Sequence, residues 1–265
     1  MTAGPGVLDH DVAGAGPALL LVHAGIADRR MWDDQVGPFA AAGWTVIRAD
    51  LPGVGGTPAP AGPVATWATL RGLLDHLGVE RTVVVGCSLG GRAAVDLALA
   101  APERVRALVL VGSGLGGHRF EEAALHRLWD DSDAAVERGD LEEAARIELE
   151  TWVVGVGRTL DAVDAGVRSR ARAMLLDRYG GGGNELEDLE PPAAGRLGAV
   201  AAPTLVLVGD HDRPDIQAIA GALAAGIPGA ERAVLAGTAH LPNLERPEEF
   251  NRVVLEFLAR VDRSP

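Results

Sequence analysis

Six short apolar segments recur along the chain, and each is bounded by turn-forming residues. They are ALLLV (18–22), TVIRA (45–49), TVVVG (82–86), ALVLVG (107–112), TLVLVG (204–209) and RAVLAG (232–237). Uninterrupted apolar runs of this length are typical of strands that are covered on both faces. A further segment, VLDHDV (7–12), is followed by glycines and predicts an antiparallel strand at the edge of the sheet.

Helical patterns lie between several of these strands. In RAAVDLALA (92–100), Ala94, Leu97 and Ala98 fall on one helical face, and Pro102 closes the segment. Strands that alternate with helices predict right-handed crossovers and a mainly parallel sheet. The pattern therefore indicates the α/β class, with helices flanking the sheet.

A long interval without strand pattern interrupts this alternation. From about residue 116 to 197 the chain is charged and alanine-rich, as in EEAALHRLWDD and DLEEAARIELETWVV, which predicts helices. We interpret residues 116–197 as a helical insertion over the end of the sheet, called the cap below, in a core domain formed by residues 1–115 and 198–265. The glycine run and double proline of GGGGNELEDLEPP (180–192) predict a flexible joint.

The charge balance changes the range of expected ligands. The formal net charge is −13, and all 24 basic residues are arginines. Nucleic-acid binding depends on basic patches that neutralise phosphates, so we expect no nucleic-acid partner. Because lysine is absent, Schiff-base chemistry and the Walker A phosphate loop are excluded.

Cysteine usage and hydropathy indicate the compartment. Cys87 is the only cysteine, which excludes an intramolecular disulfide and a multi-cysteine zinc site. No apolar run approaches the roughly 18 residues that a membrane-spanning helix needs. The first residues lack a basic stretch followed by an apolar core. We therefore expect a cytoplasmic protein with no membrane association.

A serine between two glycines follows the third of the apolar segments. Gly86-Cys87-Ser88-Leu89-Gly90 matches the GxSxG nucleophile elbow, and it lies between a predicted strand and a predicted helix. The alternative is an ordinary glycine-rich turn, because three fixed positions in five occur by chance. A strand before the serine and a helix after it favour the elbow, which would raise the Ser88 hydroxyl above the sheet.

A serine nucleophile needs a base and an orienting acid, and both types of residue follow later strands. Asp210 and Asp212 lie in the turn directly after TLVLVG (204–209), and His240 lies shortly after AVLAG (233–237). The carboxyl ends of parallel strands lie at one edge of the sheet. We therefore expect the serine, an aspartate and the histidine to converge, in the chain order serine, acid, histidine.

Beyond the elbow, several segments resemble the α/β-hydrolase fold enzymes. These segments are LLLVHAGIADRRMWDDQ, RADLPGVGGT, PERVRALVLVGS, LVGDHDRP and GTAHLPNLERPEEFNRVVLEFL, and the last is similar to 3-oxoadipate enol-lactonases. The resemblance covers nearly the whole chain except the cap. It implies an α/β-hydrolase fold with a helical cap inserted after the sixth strand.

The resemblance also implies roles for individual residues. Ser88 corresponds to the nucleophile and His240 to the general base. The family pattern Gly-x-x-Asp selects Asp212 as the acid over Asp210, and the other acid position used by some relatives is occupied here by 112–114, which hold no carboxylate. The oxyanion hole would use the backbone amides of Leu89 and of Gly25, with Ile26 as the alternative to Gly25.

The substrate pocket is the least defined part. We assign weak substrate-binding roles to Ile26, Trp129, Trp152 and Leu241, although tryptophans in amphipathic helices are more often packing residues. The remaining histidines, among them His118 and His126 in the cap, show no metal-ligand spacing. The sequence implies no metal and no organic cofactor.

Three functions remain open at this stage. The first is a serine hydrolase that cleaves a small ester or lactone through an acyl-enzyme on Ser88. The second uses the same pocket for carbon–carbon bond hydrolysis or for a non-hydrolytic biosynthetic reaction. The third is a ligand-binding protein with a vestigial triad. A small molecule is the expected partner in each case, and a homodimer is the oligomer that we allow for.

Overall fold

A seven-stranded sheet forms the centre of the molecule. The structure is a computed structural model, and it describes residues 7–180, 187 and 189–261. The strands are β1 (His10–Ala13), β2 (Ala18–Val22), β3 (Thr45–Ala49), β4 (Thr82–Cys87), β5 (Val105–Val111), β6 (Thr204–Gly209) and β7 (Glu231–Leu235). Their order across the sheet is β1-β3-β2-β4-β5-β6-β7.

The pairing of the strands confirms the α/β fold class. β1 runs antiparallel to β3 at one edge, with His10 opposite Ala49. The other five pairings are parallel. Six strands therefore direct their carboxyl ends to the same edge of the sheet, as the alternating pattern predicts.

The central strands are buried on both faces. Every residue of β4 and β6 is buried, and so are the leucines of β2. Residues of this kind form continuous apolar runs because neither sheet face contacts water. The three valines before the elbow, Val83, Val84 and Val85, are fully inaccessible and anchor the strand that carries Ser88.

Helices cover the sheet and complete the core. They are α1 (Asp33–Ala41), α2 (Thr66–His76), α3 (Leu89–Ala100), α4 (Ala123–Glu137), α5 (Leu141–Glu148), α6 (Ala165–Tyr179), α7 (Pro214–Gly226), α8 (Pro242–Glu245) and α9 (Pro247–Val261). α3 packs on β4 and β5 and on α2, and α1 packs on α9. α3 begins at the residue that follows Ser88, so the turn between strand and helix is as tight as the elbow requires.

The described part of the interval between β5 and β6 contains helices joined by turns and loops, and no strand. It holds α4, α5, a π-helix (Leu149–Val154) and α6, which pack against one another. This interval follows the strand over 105–111, the strand after which the insertion is expected. That strand takes the sixth place in the family pattern and is the fifth strand of the described chain. The domain boundaries stay a prediction.

Two further predictions concern the flexible joint over 180–192 and the membrane-spanning helices. Residues 181–186 and 188 of the predicted flexible joint lie outside the described residues. Within the described part of the chain, no helix is both long and apolar enough to cross a membrane.

Candidate active site

Ser88 occupies a strained turn between β4 and α3. Its φ is +51°, and among the described residues it is the only one other than glycine with a positive φ. The backbone is held on both sides, because the Ser88 amide donates to the Val111 carbonyl at 3.0 Å and the Ser88 carbonyl accepts from the amides of Arg92 and Gly114, both at 2.9 Å. Strain of this kind persists only where surrounding contacts hold it, and it concentrates at functional sites.

The neighbouring glycines explain how the turn is accommodated. A Cβ at Gly86 would collide with the backbone of Gly90, and a Cβ at Gly90 would collide with the carbonyl of Val22 on β2. A Cβ at Gly91 would collide with the Ser113 hydroxyl. The glycines of GxSxG therefore reflect two close backbone approaches, and Gly91 reflects a close contact with the Ser113 side chain.

His240 and Asp212 form a buried pair near this turn. The Nδ1 atom of His240 lies 2.9 Å and 3.1 Å from the two carboxylate oxygens of Asp212, and both side chains are at most 2% exposed. Asp212 also accepts a hydrogen bond from the Arg213 amide at 2.8 Å. A carboxylate at Nδ1 favours the tautomer in which Nδ1 carries the proton and Nε2 is free to accept one.

Gly112 lies directly against this pair. It follows β5 with a φ of +46°, and a Cβ there would be 3.0 Å from Asp212 Oδ2 and 3.1 Å from His240 Nδ1. This is the neighbourhood of the alternative acid position considered from the sequence. The space that a carboxylate at the end of β5 would need is taken by the Asp212 carboxylate itself.

Asp210 has a different environment from Asp212. Its Oδ1 atom accepts hydrogen bonds from the amides of Gly237 at 2.7 Å and Thr238 at 3.3 Å. These contacts join the turn after β6 to the loop before His240. The geometry fits the expectation that Asp210 stabilises the turn, while Asp212 contacts the imidazole.

The loop after β2 lies beside the elbow. The Ala27 amide donates to the Ala24 carbonyl at 3.1 Å, which makes residues 24–27 a tight turn with Gly25 and Ile26 at its centre. Gly25 and Ile26 both line the cavity that contains Ser88, and Gly25 lies next to Leu89. Backbone donors at a helix start and a turn are the usual components of an oxyanion hole.

His23 holds this loop in place. The ring is fully buried, its Nδ1 donates to the Ala24 carbonyl at 2.8 Å, and its Nε2 accepts from the Leu51 amide at 2.9 Å. Burial lowers the pKa of His23, so the ring is neutral with both nitrogens satisfied. Its role is structural.

A cavity of about 290 Å³ opens above Ser88 and His240. Gly25 and Ile26 form part of its floor, and the cap forms its roof. The cap residues that line it are Trp129, Ser132, Asp133, Val136, Glu148, Trp152, Arg178 and Tyr179. Within the described residues, the Ser88 hydroxyl and the His240 ring share this cavity without a hydrogen bond between them, as is common in unliganded enzymes.

Three of the four weak pocket predictions fall on the cavity wall. Ile26, Trp129 and Trp152 line it, and the Trp152 ring lies 4.6 Å from the His240 ring. The prediction for Leu241 is wrong, because its side chain is fully buried in the hydrophobic core and does not reach the cavity. Its place beside His240 in the sequence carries no information about the direction of its side chain.

The polar part of the roof escaped the sequence analysis. Glu148 accepts a hydrogen bond from Ser132 at 3.1 Å, and it also interacts with the indole N–H of Trp152 and with the charge of Arg178. Burial raises the pKa of the Glu148 carboxyl, and these three partners oppose that shift. Glu148 is one of several glutamates in an acidic helix, and a period of 3.6 residues cannot identify it because a π-helix begins at the next residue.

Other sequence candidates lie outside the cavity. His118 lies 3.4 Å from Asp215, and the His126 ring contacts the Phe120 carbonyl at 2.9 Å. Cys87 is buried, and burial raises the pKa of its thiol, which makes it unreactive. The described residues include no group of three potential ligands that could hold a metal ion.

Comparisons with known proteins agree with this geometry. The sequence profile of the alpha/beta hydrolase fold family matches residues 17–247. A 2-hydroxy-6-oxononadienedioate/2-hydroxy-6-oxononatrienedioate hydrolase from Cupriavidus pinatubonensis is 30% identical over 94% of this chain and 89% of its own length. A 2-hydroxy-6-oxo-6-phenylhexa-2,4-dienoate hydrolase from Burkholderia cepacia is 28% identical over 93% and 89%. A thermophilic esterase from Thermogutta terrifontis is 27% identical over 96% of this chain and 93% of its own, with a TM-score of 0.81.

Proposed function

The chain belongs to the α/β-hydrolase fold family, and we propose that it hydrolyses a carbon–carbon bond beside the ketone of a 2-hydroxy-6-oxo-dienoate with one carboxylate. Ser88 is the nucleophile, His240 the base and acid, and Asp212 the group that orients His240. Ester or lactone hydrolysis, the main expectation from the sequence, becomes the second candidate. The curated relatives that span the chain at about 30% identity favour this order.

The observation that carries the proposal is the content of the cavity. Ser88 and His240 share it with Arg178, which is the only arginine among the described lining residues. Arginine recognises carboxylates with charge-assisted hydrogen bonds. A substrate carbonyl near Ser88 and a substrate carboxylate near Arg178 fit a keto acid better than a simple ester.

The first chemical step prepares the bond for cleavage. The 2-hydroxy group is an enol, and moving its proton to carbon 5 gives the 2,6-diketone. The Ser88 oxygen then bonds to carbon 6 and passes its proton to His240 Nε2. The resulting oxyanion accepts hydrogen bonds from the Leu89 amide and from Gly25 or Ile26, and each such donor is typically worth about 3 to 4 kcal/mol.

Collapse of this intermediate breaks the bond between carbons 5 and 6. The electron pair moves into the conjugated system toward the oxygen on carbon 2, and His240 returns its proton to that fragment. Water then attacks the acyl group on Ser88, with His240 as the base, and the acyl part leaves as a carboxylic acid. One substrate and one water give one dienoate and one acid.

The charges of the roof restrict the substrate further. Arg178 can neutralise one carboxylate, whereas Glu148 and Asp133 line the same cavity with acidic groups. A second substrate carboxylate would lie near these acids without a cation to offset it. We therefore propose a 6-aryl or 6-alkyl monoacid, rather than the dioate named for the Cupriavidus pinatubonensis relative.

The test compares three substrates under one set of conditions. They are 2-hydroxy-6-oxo-6-phenylhexa-2,4-dienoate, 2-hydroxy-6-oxononadienedioate and p-nitrophenyl butyrate, with Ser88→Ala as the control enzyme. We expect kcat/KM for the phenyl dienoate to exceed that for the ester by at least tenfold. Turnover of the ester without the dienoates would overturn the carbon–carbon assignment, and equal use of both dienoates would overturn the monoacid restriction.

Ester hydrolysis remains the second candidate on a structural observation. The fold superposes on the Thermogutta terrifontis esterase over 96% of the chain. The alcohol part of an ester leaves as an alkoxide, so ester cleavage needs only the same nucleophile, oxyanion donors and proton transfer. Failure of all three substrates, together with absence of labelling by a fluorophosphonate, would favour the binding-protein alternative.

A further inference from the structure

A segment of the cap is joined to the loop that carries His240. Arg158 follows the π-helix, and its Nη1 atom donates to Glu245 Oε2 at 2.6 Å. The two side chains are only 7% and 6% exposed. Burial removes both charges from water, so other hydrogen bonds must replace those that the two groups lose. The partners in these hydrogen bonds show which parts of the molecule the pair connects.

All three nitrogen atoms of the Arg158 guanidinium donate hydrogen bonds. Its Nε donates to the Val154 carbonyl at 2.7 Å and its Nη2 to the Val153 carbonyl at 2.8 Å, which satisfies the end of the π-helix. Nη1 also donates to the Gly237 carbonyl at 2.7 Å. Arg158 therefore connects the cap to the beginning of the segment 237–240, which carries His240 and is called the histidine loop below.

Glu245 continues this connection to the residue before His240. Its second oxygen, Oε1, accepts a hydrogen bond from the Ala239 amide at 2.7 Å. The next amide, that of His240, donates to the Trp152 carbonyl at 3.2 Å, and the Trp152 ring covers the imidazole. Two successive amides of the histidine loop thus depend on the cap segment 152–158 or on its ionic partner.

The same segment also contacts the turn that carries Asp212. The Val156 amide donates to the His211 carbonyl at 2.8 Å, and His211 Nδ1 donates to the Val156 carbonyl at 2.8 Å. A Cβ at Gly155 would collide with the His211 carbonyl, which shows how closely the two segments approach. Both members of the His240–Asp212 pair are therefore fixed from the cap side.

We propose that Arg158 and Glu245 are positioning residues that hold the His240–Asp212 pair in its reactive geometry. The cap segment 152–158 is then part of the catalytic machinery, in addition to the cap's role as the roof of the cavity. Neither Arg158 nor Glu245 lines the cavity, so they act on the imidazole and not on the bound substrate. The inference goes beyond the proposed function and holds for an ester as well as for a dienoate.

The test separates positioning from general stabilisation with a second ion pair between cap and core. Arg170 Nη1 and Asp34 Oδ2 are 2.7 Å apart, far along the chain from the histidine loop, and are more than a third exposed. We compare Glu245→Gln, Arg158→Met and the double variant Arg158→Met/Glu245→Gln with the control Arg170→Met/Asp34→Asn. Each full-length enzyme is assayed with p-nitrophenyl acetate and with a fluorophosphonate, which reports on Ser88 directly.

We expect Glu245→Gln and Arg158→Met to lower kcat by about 10- to 100-fold, as small misplacements of catalytic groups do. KM should change less than threefold, and the control should stay within twofold of the wild type. The far-downfield proton NMR signal of the Nδ1–H between His240 and Asp212 should weaken in the Arg158 and Glu245 variants and persist in the control. An unchanged kcat and NMR signal in these variants would overturn the proposal.

Loss of one partner leaves the other charge buried, so one of the single variants can fail to fold. The double variant removes both charges and avoids this outcome, and near-ultraviolet circular dichroism verifies its packing. A folded double variant with wild-type kcat would also overturn the proposal. If neither the wild type nor the control reacts with the fluorophosphonate or the ester, the proposed function fails, and the NMR signal alone decides whether the pair positions His240.

Discussion

The catalytic edge of the sheet and the roof of the cavity differ in what fixes their side chains. At the edge, Ser88, Asp212 and His240 lie in turns after strands, and backbone contacts leave few alternatives for their neighbours. In the roof, Glu148 and Arg178 project from helices whose other positions carry similar residues. The edge is therefore defined by backbone geometry, and the roof by the choice of side chains. We expect changes at the edge to abolish the reaction and changes in the roof to alter its specificity.

The largest effect should follow removal of the nucleophile or the base. Ser88→Ala and His240→Ala should each lower kcat by at least about 10⁴-fold, because removal of either group disables the whole triad. Thermal unfolding of Ser88→Ala should be nearly unchanged, since the Ser88 side chain faces the cavity and carries little of the core. Retention of wild-type turnover by Ser88→Ala would contradict the assignment of the nucleophile.

The two aspartates after β6 should differ sharply. Asp212→Asn should lower kcat by about 10⁴-fold, because the amide favours the wrong tautomer of His240. Asp210→Asn keeps an oxygen that can accept from the Gly237 amide, so its loss should be below tenfold. Steady-state kinetics of the two variants, measured side by side, test the assignment, and the reverse ranking would move the acid to Asp210.

A smaller but clear effect is expected at Gly112. In Gly112→Ala the new methyl group would lie 3.0 Å from Asp212 Oδ2 and 3.1 Å from His240 Nδ1, at a φ of +46°. We expect about a 10²-fold loss of kcat, because the pair must shift to make room. Gly139→Ala, at another positive φ with open space around it, is the matched control for backbone strain. Equal kcat values for Gly112→Ala and Gly139→Ala would show that contact with the His240–Asp212 pair is unimportant.

In the roof, loss of Arg178 should change binding more than chemistry. A hydrogen bond to a charged group contributes about 1.5 to 3 kcal/mol, so Arg178→Met should lower kcat/KM for a carboxylate-bearing dienoate by about 10- to 100-fold, mainly through KM. The rate with p-nitrophenyl acetate should stay within threefold of the wild type. Arg172→Met, on the same helix and paired with Glu142 outside the cavity, serves as the control.

The smallest expected effect concerns stability. Asp96 on α3 is 3% exposed, and burial raises the pKa of its carboxyl to about 6, although Arg92 and Arg196 oppose the shift. The folded protein therefore holds this proton more tightly than the unfolded chain does, and the free energy of unfolding falls as the pH rises from about 4 to above 6.

Asp96→Asn removes this dependence. We expect the variant to exceed the wild type by at most about 3 kcal/mol at pH 7.5 and to match it near pH 4, as measured by urea unfolding at both pH values. Asp131 is an exposed residue on α4. In Asp131→Asn, the free energy of unfolding should change between the two pH values by the same amount as in the wild type. A wild type and an Asp96→Asn variant that differ equally at both pH values would argue against a raised pKa.

The contrast between edge and roof also explains what the sequence could predict. All six apolar segments begin or end within one residue of a strand boundary, because buried parallel strands leave a continuous apolar pattern. The GxSxG motif is visible because a side chain at Gly86 or Gly90 would collide with backbone atoms. Such constraints act on residue type and can be recognised without coordinates.

The roof lacks constraints of this kind. Arg178 is one of 24 arginines, and nothing in its local pattern distinguishes it from Arg172. Glu148 and Trp152 face the cavity across the start of a π-helix, where a helical period of 3.6 no longer applies. Leu241 follows His240 in the sequence, but its side chain lies in the hydrophobic core.

The most direct test of the account is to identify the residue that carries the acyl group during turnover. Wild-type enzyme is mixed with 2-hydroxy-6-oxo-6-phenylhexa-2,4-dienoate, quenched in acid within the first turnover and digested for mass spectrometry, with Ser88→Ala treated in parallel. We predict a benzoyl group on the Ser88 hydroxyl in the wild type and none in the variant. Turnover of the dienoate with no adduct at Ser88, or an adduct at another residue, would contradict nucleophilic catalysis by this elbow.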